Sequence, residues 1–402
     1  MIARHKIDWV HSRIYFGLIL ACLAAPNMVI AQLKMDPYAT AHIEHDSNVF
    51  LVQNSNAQLA ERGFTTLGDT DTKYVAGLNS VYLWSLQSLT GNFEVRRLQY
   101  LHFTDLDHNE YVGDLKFDWK LASVLDGSLQ LRQEHSAPSF ASNNSLGLTL
   151  NTARNADAKM NLKITPDWRL EAGANYSKLN APLQFYPDFV DREVITQLGI
   201  KYLGVANLSS GFVFEHIDGR YENAPVVGPY SQSSGEFKVN YAVSGLSKLN
   251  AGLGYTRRNQ SGGEGTVSGV TGELGYKRQL TAKSALDVEL IRAVNSYVAA
   301  GGSEIDTTAS VGLTWQATYR VGVSLTGSYT HSTFNGQAIP GSVANGRVDH
   351  IKAASLSVKY QAFRRLQFSG YLKSDSRSSI DRTYDFNDTI VGVEAQWHWK
   401  QM

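Results

Sequence analysis

Between Glu110 and Ala122 the chain reads EYVGDLKFDWKLA, and its alternate positions separate into two sets. Tyr111, Gly113, Leu115, Phe117, Trp119 and Leu121 are apolar apart from the glycine. Of Val112, Asp114, Lys116, Asp118 and Lys120, four are charged. Successive side chains of a strand point to opposite faces, so the alternation predicts a strand with one apolar and one charged side. Similar segments recur along the chain, from Tyr38–Glu44, Tyr74–Trp84 and Phe93–Phe103 to Leu366–Lys373 and Thr389–Trp399. They predict about 18 strands, with a range of 16–18.

The connections between these segments alternate in length. Short turns are predicted at Gln87–Thr90, Ser123–Leu125, Thr165–Asp167, Gly204–Ala206, Gly245–Ser247, Thr281–Ser284, Gln316–Arg320 and Gln361–Arg365. Longer polar stretches, such as NAPLQFYPDFVDRE and THSTFNGQAIPGSVANGRVDH, fall between them. Short periplasmic turns and long outer loops are the rhythm of an up-and-down outer-membrane barrel. The predicted fold is therefore all-β: a transmembrane antiparallel up-and-down barrel of the outer-membrane type. An even strand count puts both termini on the periplasmic side.

Trp84, Trp119, Trp168, Trp315, Trp397 and Trp399 all fall beside the short turns or the C-terminus. Indole rings favour a membrane–water interface, so these six predict the inner aromatic girdle. Tyr100, Tyr111, Tyr176, Tyr255 and Tyr329 lie nearer the long loops and are candidates for the outer one. The charged set of each strand then faces a lumen. The predicted pore-lining residues are Lys116, Asp118, Lys120, Lys159, Arg169, Glu171, Lys201, Glu236, Lys238, Glu273, Lys277, Asp287, Glu289, Lys359 and Glu394. On the lipid side each charge would cost roughly 2–4 kcal/mol at the bilayer midplane. Arg97 and Arg292 break this phase, since they fall on the apolar side of their strands.

Composition sharpens the picture at the N-terminus. Arg4, Lys6 and Arg13 precede an apolar run from Ile14 to about Ala25, and Val29-Ile30-Ala31 offers a small residue for cleavage. Residues 1–31 are predicted as a secretory signal peptide cleaved near Ala31, and residues 32–402 as a single barrel with long extracellular loops. Pro26 and Asn27 interrupt the run, which disfavours a transmembrane anchor. Cys22 is the only cysteine, and Leu20 fits poorly before a lipoprotein cysteine. Removal of residues 1–31 leaves 34 basic against 36 acidic residues, no footprint for nucleic acid. The predicted location is the outer membrane of a Gram-negative bacterium, with outer-membrane lipid as a partner.

No enzyme signature appears: there is no G-x-S-x-G elbow, H-E-x-x-H pair, phosphate loop or cysteine cluster. No cofactor, metal or catalytic residue is expected. His42 and Glu44 in HIEHD share one strand face and His45 takes the other, which reads as a polar strand rather than a metal site.

DPYATAHIEHDSNVF (Asp36–Phe50), Phe103-Thr104-Asp105-Leu106-Asp107-His108, Trp119-Lys120-Leu121, Leu125-Asp126-Gly127 and TPDWRLEAGANY (Thr165–Tyr176) form a further pattern. It resembles the exopolysaccharide-operon outer-membrane β-barrel family, often called EpsL, within the wider β-barrel porin 2 group. The resemblance covers about 40% of the chain clearly. One departure is the C-terminus, Trp399-Lys400-Gln401-Met402, where many barrels end in an aromatic residue. The resemblance implies passage of an exopolysaccharide across the outer membrane, with the polymer and periplasmic export components as partners. It implies no catalytic residues. The alternative is a general or solute-specific diffusion porin, with NGQAIPGSVANGRVDH as a constriction loop. A third reading is a non-conducting assembly component.

Overall fold

The computed structural model of the protein describes residues 32–53, 66–140, 146–182, 186–224, 228–261, 265–297, 302–336 and 346–399. The segments 1–31 and 337–345, which hold the predicted signal peptide and the tip of the candidate constriction loop, lie outside the described residues.

Eighteen antiparallel strands account for nearly all of the described chain. They are β1 (Gln32–Asp46), β2 (Asp69–Trp84), β3 (Gln87–Tyr100), β4 (His108–Leu121), β5 (Leu125–Ser136) and β6 (Asn151–Lys163). Next come β7 (Trp168–Asn180), β8 (Val190–Val205), β9 (Leu208–Glu222), β10 (Tyr230–Ser244), β11 (Ser247–Gln260) and β12 (Gly265–Thr281). The last six are β13 (Ser284–Tyr297), β14 (Gly302–Gln316), β15 (Val321–Asn335), β16 (Val348–Phe363), β17 (Leu366–Ser379) and β18 (Phe386–His398). Each pairs with its sequence neighbours, and β1 pairs with β18, so the sheet closes on itself. Closure removes every free edge.

Register and exposure divide the strand positions into two faces. Ile43, Phe93, Leu129, Leu198, Phe237, Leu253, Val311 and Val393 are among the large apolar residues left exposed on the outside. Residues paired across strands share a face, so the assignment carries around the barrel. Outward positions between the two aromatic rows hold no Asp, Glu, Lys or Arg among the described residues. Trp84, Trp119, Trp168, Trp315 and Trp397 face outward beside the short turns, with Trp84 stacked on Phe117 at 5.6 Å. Trp399 is exposed just beyond the end of β18. Tyr111, Tyr176, Tyr255 and Tyr329 face outward nearer the long connections. Tyr100 does not: it pairs with Asp71 on the inner face and packs on the Phe50–Phe103 cluster.

Three rows of the inner face repeat one arrangement. Tyr38, Gly77 and Glu94 are in register across β1, β2 and β3, and the Tyr38 hydroxyl donates to Glu94. Tyr371, Gly392 and Glu44 repeat it across β17, β18 and β1. Tyr230, Gly219 and Glu193 do so across β10, β9 and β8. In each, the ring lies flat over the glycine, where any Cβ would overlap it. The missing side chain thus lets a tyrosine reach a carboxylate two strands away and pin the register.

Candidate functional site

The strands' inner faces, taken together, form a polar lumen. Register puts Lys116, Asp118 and Lys120 of β4 on it, with Lys159 of β6, Arg169 and Glu171 of β7, and Lys201 of β8. Glu236 and Lys238 of β10, Glu273 and Lys277 of β12, and Asp287 and Glu289 of β13 share the same face. Lys359 of β16 and Glu394 of β18 complete the set.

Most lysines among these are tied to carboxylates along the wall. Lys116 meets Asp118 at 2.8 Å, Lys159 meets Asp157 at 3.4 Å, and Lys201 meets Glu171 at 3.8 Å. Lys238 bridges Glu236 and Glu273 at 3.2 and 3.7 Å, and Lys277 meets Asp287 at 2.8 Å. Such half-exposed pairs add little stability, but they cancel the wall's positive charge locally.

The carboxylates are not all cancelled in return. Glu44 is directly opposite Asp71, Asp46 opposite Asp69, and Asp375 opposite Asp388, all on the inner face. Like charges directly opposite each other destabilise a sheet, so this arrangement has a cost the fold carries. Among the described strands the inner face holds more carboxylates than cations. A near-neutral chain therefore has an acidic interior, and most of its remaining described cations lie in the turns and on the outer rim, with Arg278 outward near the short-turn end of β12.

A recess in the inner wall spans β13 to β17. Ser310, Gly312, Ser328 and Ala353 leave space there, while Glu289 and Asp375 flank it with Lys373. It is lined by small side chains and bounded by charge, a seat for a small hydrated solute.

At the end with the long connections the lumen is crossed by packed side chains. Arg258 of β11 is 2% exposed. Its guanidinium lies 3.7 Å over the Tyr230 ring and donates to Ser296 Oγ at 2.9 Å and Tyr221 Oη at 3.4 Å. Ser296 also donates to Glu193 Oε1 at 3.2 Å, although four strands separate β8 from β13 in the wall. This is a strut across the outer mouth. A second cluster stacks the buried Arg347 guanidinium 3.7 Å from the Phe334 ring and 4.0 Å from Tyr384, with Asp349 at 3.2 Å. A third joins Phe50 and Phe103 at 5.0 Å, and Asp69 accepts the backbone N–H groups of His102 and Phe103 at 2.9 and 2.7 Å. Arg258, Ser296 and Arg347 carry no mark in the linear sequence. Their partners are remote in sequence, so no local pattern marks them.

A closed barrel has an apolar, charge-free outer band with aromatic residues at its two edges. It has polar walls inside, and short turns at one end only. Every described strand pairs on both sides, so backbone polar groups bond between strands, the condition for spanning a bilayer. The chain is an outer-membrane β-barrel. No family model matches the sequence, and no curated protein is detectably similar to it. Solved structures match by shape. OccK3 (OpdO) of Pseudomonas aeruginosa superposes at a TM-score of 0.51 with 11% identity, covering 91% of this chain and 96% of that one. The outer membrane protein OpdK of the same organism gives 0.49 with 12% identity, covering 91% and 99%. OccK2 (OpdF) in complex with glucuronate gives 0.49 with 12% identity and the same coverage. At these identities the likeness is one of fold.

Proposed function

We propose that the protein is a diffusion channel of the outer membrane that favours neutral and cationic small solutes. The observation that carries this reading is the segregation of charge. Five lumen lysines, Lys116, Lys159, Lys201, Lys238 and Lys277, are held in ion pairs, the inner face holds more carboxylates than cations, and carboxylates face one another across β17, β18, β1 and β2. A low-dielectric wall focuses such a field into the bore, raising the local concentration of cations and repelling anions. Many weak contacts along the wall suit conduction, which needs solutes to leave as readily as they enter. The 18-stranded barrel fold, which is shared with OccK3, is wide enough to leave an aqueous bore.

A second reading is passage of an exopolysaccharide, as the sequence resemblance implies. In its favour, Asp36–Phe50 and Phe103–His108, two of the segments that carry that resemblance, meet in one cluster through Phe50 and Phe103. The acidic lumen restricts this reading to a neutral or basic polymer. Proteoliposome swelling tests the channel reading. With purified protein, a neutral pentose and lysine should enter faster than glutamate. Faster entry of glutamate, or no entry of any of the three, would contradict it. A deletion strain that keeps solute uptake but loses its surface polysaccharide would transfer the assignment to the second reading.

A further inference from the structure

The outer surface carries a row of charge that the channel does not use. Arg220 of β9, Arg192 of β8, Lys178 of β7 and Arg154 of β6 are directly opposite one another across four adjacent strands. All four occupy outward positions, in the same phase as the exposed Tyr176 and Val194. Glu222 reaches Arg192 at 3.1 Å and Arg220 at 3.4 Å. Asp218, the other outward carboxylate of β9, contacts His216 at 3.4 Å. Among the described residues Arg154 and Lys178 have no ion-pair partner; Arg154 donates to Gln133 Oε1 at 3.2 Å. Cations stacked in register repel each other, so without an anion between them the row costs stability.

The same row continues beyond the cations. Arg154 is opposite Gln133 of β5, Gln133 opposite Gly113 of β4, Gly113 opposite Phe93 of β3, and Phe93 opposite Leu78 of β2. Barrel strands tilt by roughly 35–45° and lie about 4.8 Å apart, so a register row descends by roughly 3 Å of depth per strand. It starts near the outer end of β9 and finishes in the apolar band of β2. A groove follows it on the outside, open at Gly113 and walled by Phe93, Leu115 and Leu131 before it meets Arg154 and Lys178. One end is cationic and stands at the membrane surface; the other is apolar and lies at acyl-chain depth.

We propose that this track binds a phosphate-bearing lipid of the outer leaflet. Its phosphate sits between Arg154, Lys178 and Arg192, and an acyl chain lies along the Gly113 groove. Guanidinium groups match phosphate oxygens bidentately, and each basic residue near a lipid headgroup strengthens the attraction. Arg97 and Arg292 face outward at the same rim, so their departure from the strand phase falls where headgroup phosphates lie.

Native mass spectrometry of the detergent-solubilised full barrel tests this, with phosphatidic acid and phosphatidylcholine of equal chain length as probes. The wild type should retain phosphatidic acid. The R154Q/K178Q/R192Q variant should weaken that binding by about tenfold or more. Phosphatidylcholine should bind weakly to both. Removing mutually repelling cations should leave folding intact, which a heat-modifiable gel band checks. Gly113→Leu provides a second variant, because a Cβ there meets only the Phe93 ring, at 3.9 Å. It should weaken phosphatidic acid binding with every cation in place. Equal retention by wild type and both variants would overturn the proposal. So would displacement of the lipid by an equal concentration of inorganic phosphate, which would mean a free-ion site.

Discussion

Arg258→Met should both open the outer mouth and weaken the barrel. The guanidinium is buried, stacks on Tyr230 and donates to Ser296 and Tyr221. Methionine fills part of the volume but offers no donor and no charge. Ser296 and Tyr230 would then hold Glu193 without the cation that shares their cluster, and Asp191, which Tyr230 also reaches, would be left beside it. Removing one partner from a buried charged network costs about 3–5 kcal/mol. The temperature at which the SDS-resistant folded band disappears should fall clearly. Single-channel conductance should rise, because the strut joining β8 to β13 is gone. Arg258→Lys should keep part of both properties, since it restores the charge but not the planar fork. An unchanged melting temperature and conductance would mean that the mouth cluster neither supports nor gates the barrel.

The second large effect concerns the wall recess between β13 and β17. Glu289 and Asp375 flank it, and neither has an ion-pair partner among the described residues. Asp287, beside them, is held by Lys277 at 2.8 Å. Replacing both with their amides keeps shape and hydrogen bonding and removes two charges from the path. A unit charge at 4 Å is worth about 1 kcal/mol on a cation even at the dielectric of water. The E289Q/D375N channel should therefore lose about fivefold in its preference for potassium over chloride. Asp287→Asn should change it less, because that carboxylate is already neutralised. Equal effects from the two variants would mean that the ion pairing does not shape the field.

Much of the barrel is written in the sequence, for a definite reason. Wherever a strand crosses lipid, its outer face must be apolar, so alternation is forced and the segments can be counted. The short turns are legible for the same reason: they interrupt the alternation abruptly, and the eight observed ones fall within a few residues of the expected positions. Above the lipid that constraint lapses. Val190–Glu193 continues β8 with charge on both faces, and Ile217–Glu222 continues β9 with its charges on the outer face, so neither shows an apolar outer side and the pattern there reads as loop. Tyr100 sits in such a zone, which explains why proximity to a long connection misassigned it to the outer girdle.

Cross-strand relations are the other part that escapes a linear reading. Tyr38, Gly77 and Glu94 mean nothing as separate residues and become a unit only through register. The same holds for Arg154, Lys178, Arg192 and Arg220, which are spread over 67 positions of sequence and stand side by side in space. Charge balance is also hidden by summation. A chain with nearly equal numbers of acidic and basic residues suggests a neutral lumen, yet its surplus carboxylates point inward and an important share of its cations point out.

That segregation is the central claim, and a reversal potential reads it directly. The purified barrel is inserted into a planar bilayer of uncharged lipid, with a tenfold potassium chloride gradient at neutral pH, and the zero-current voltage is recorded. An acidic lumen predicts a voltage of the sign set by potassium flow and a magnitude that shrinks as total salt rises, because the wall charge is screened within a Debye length of about 10 Å at 0.1 M. A zero-current voltage of the opposite sign, set by chloride, would contradict the account.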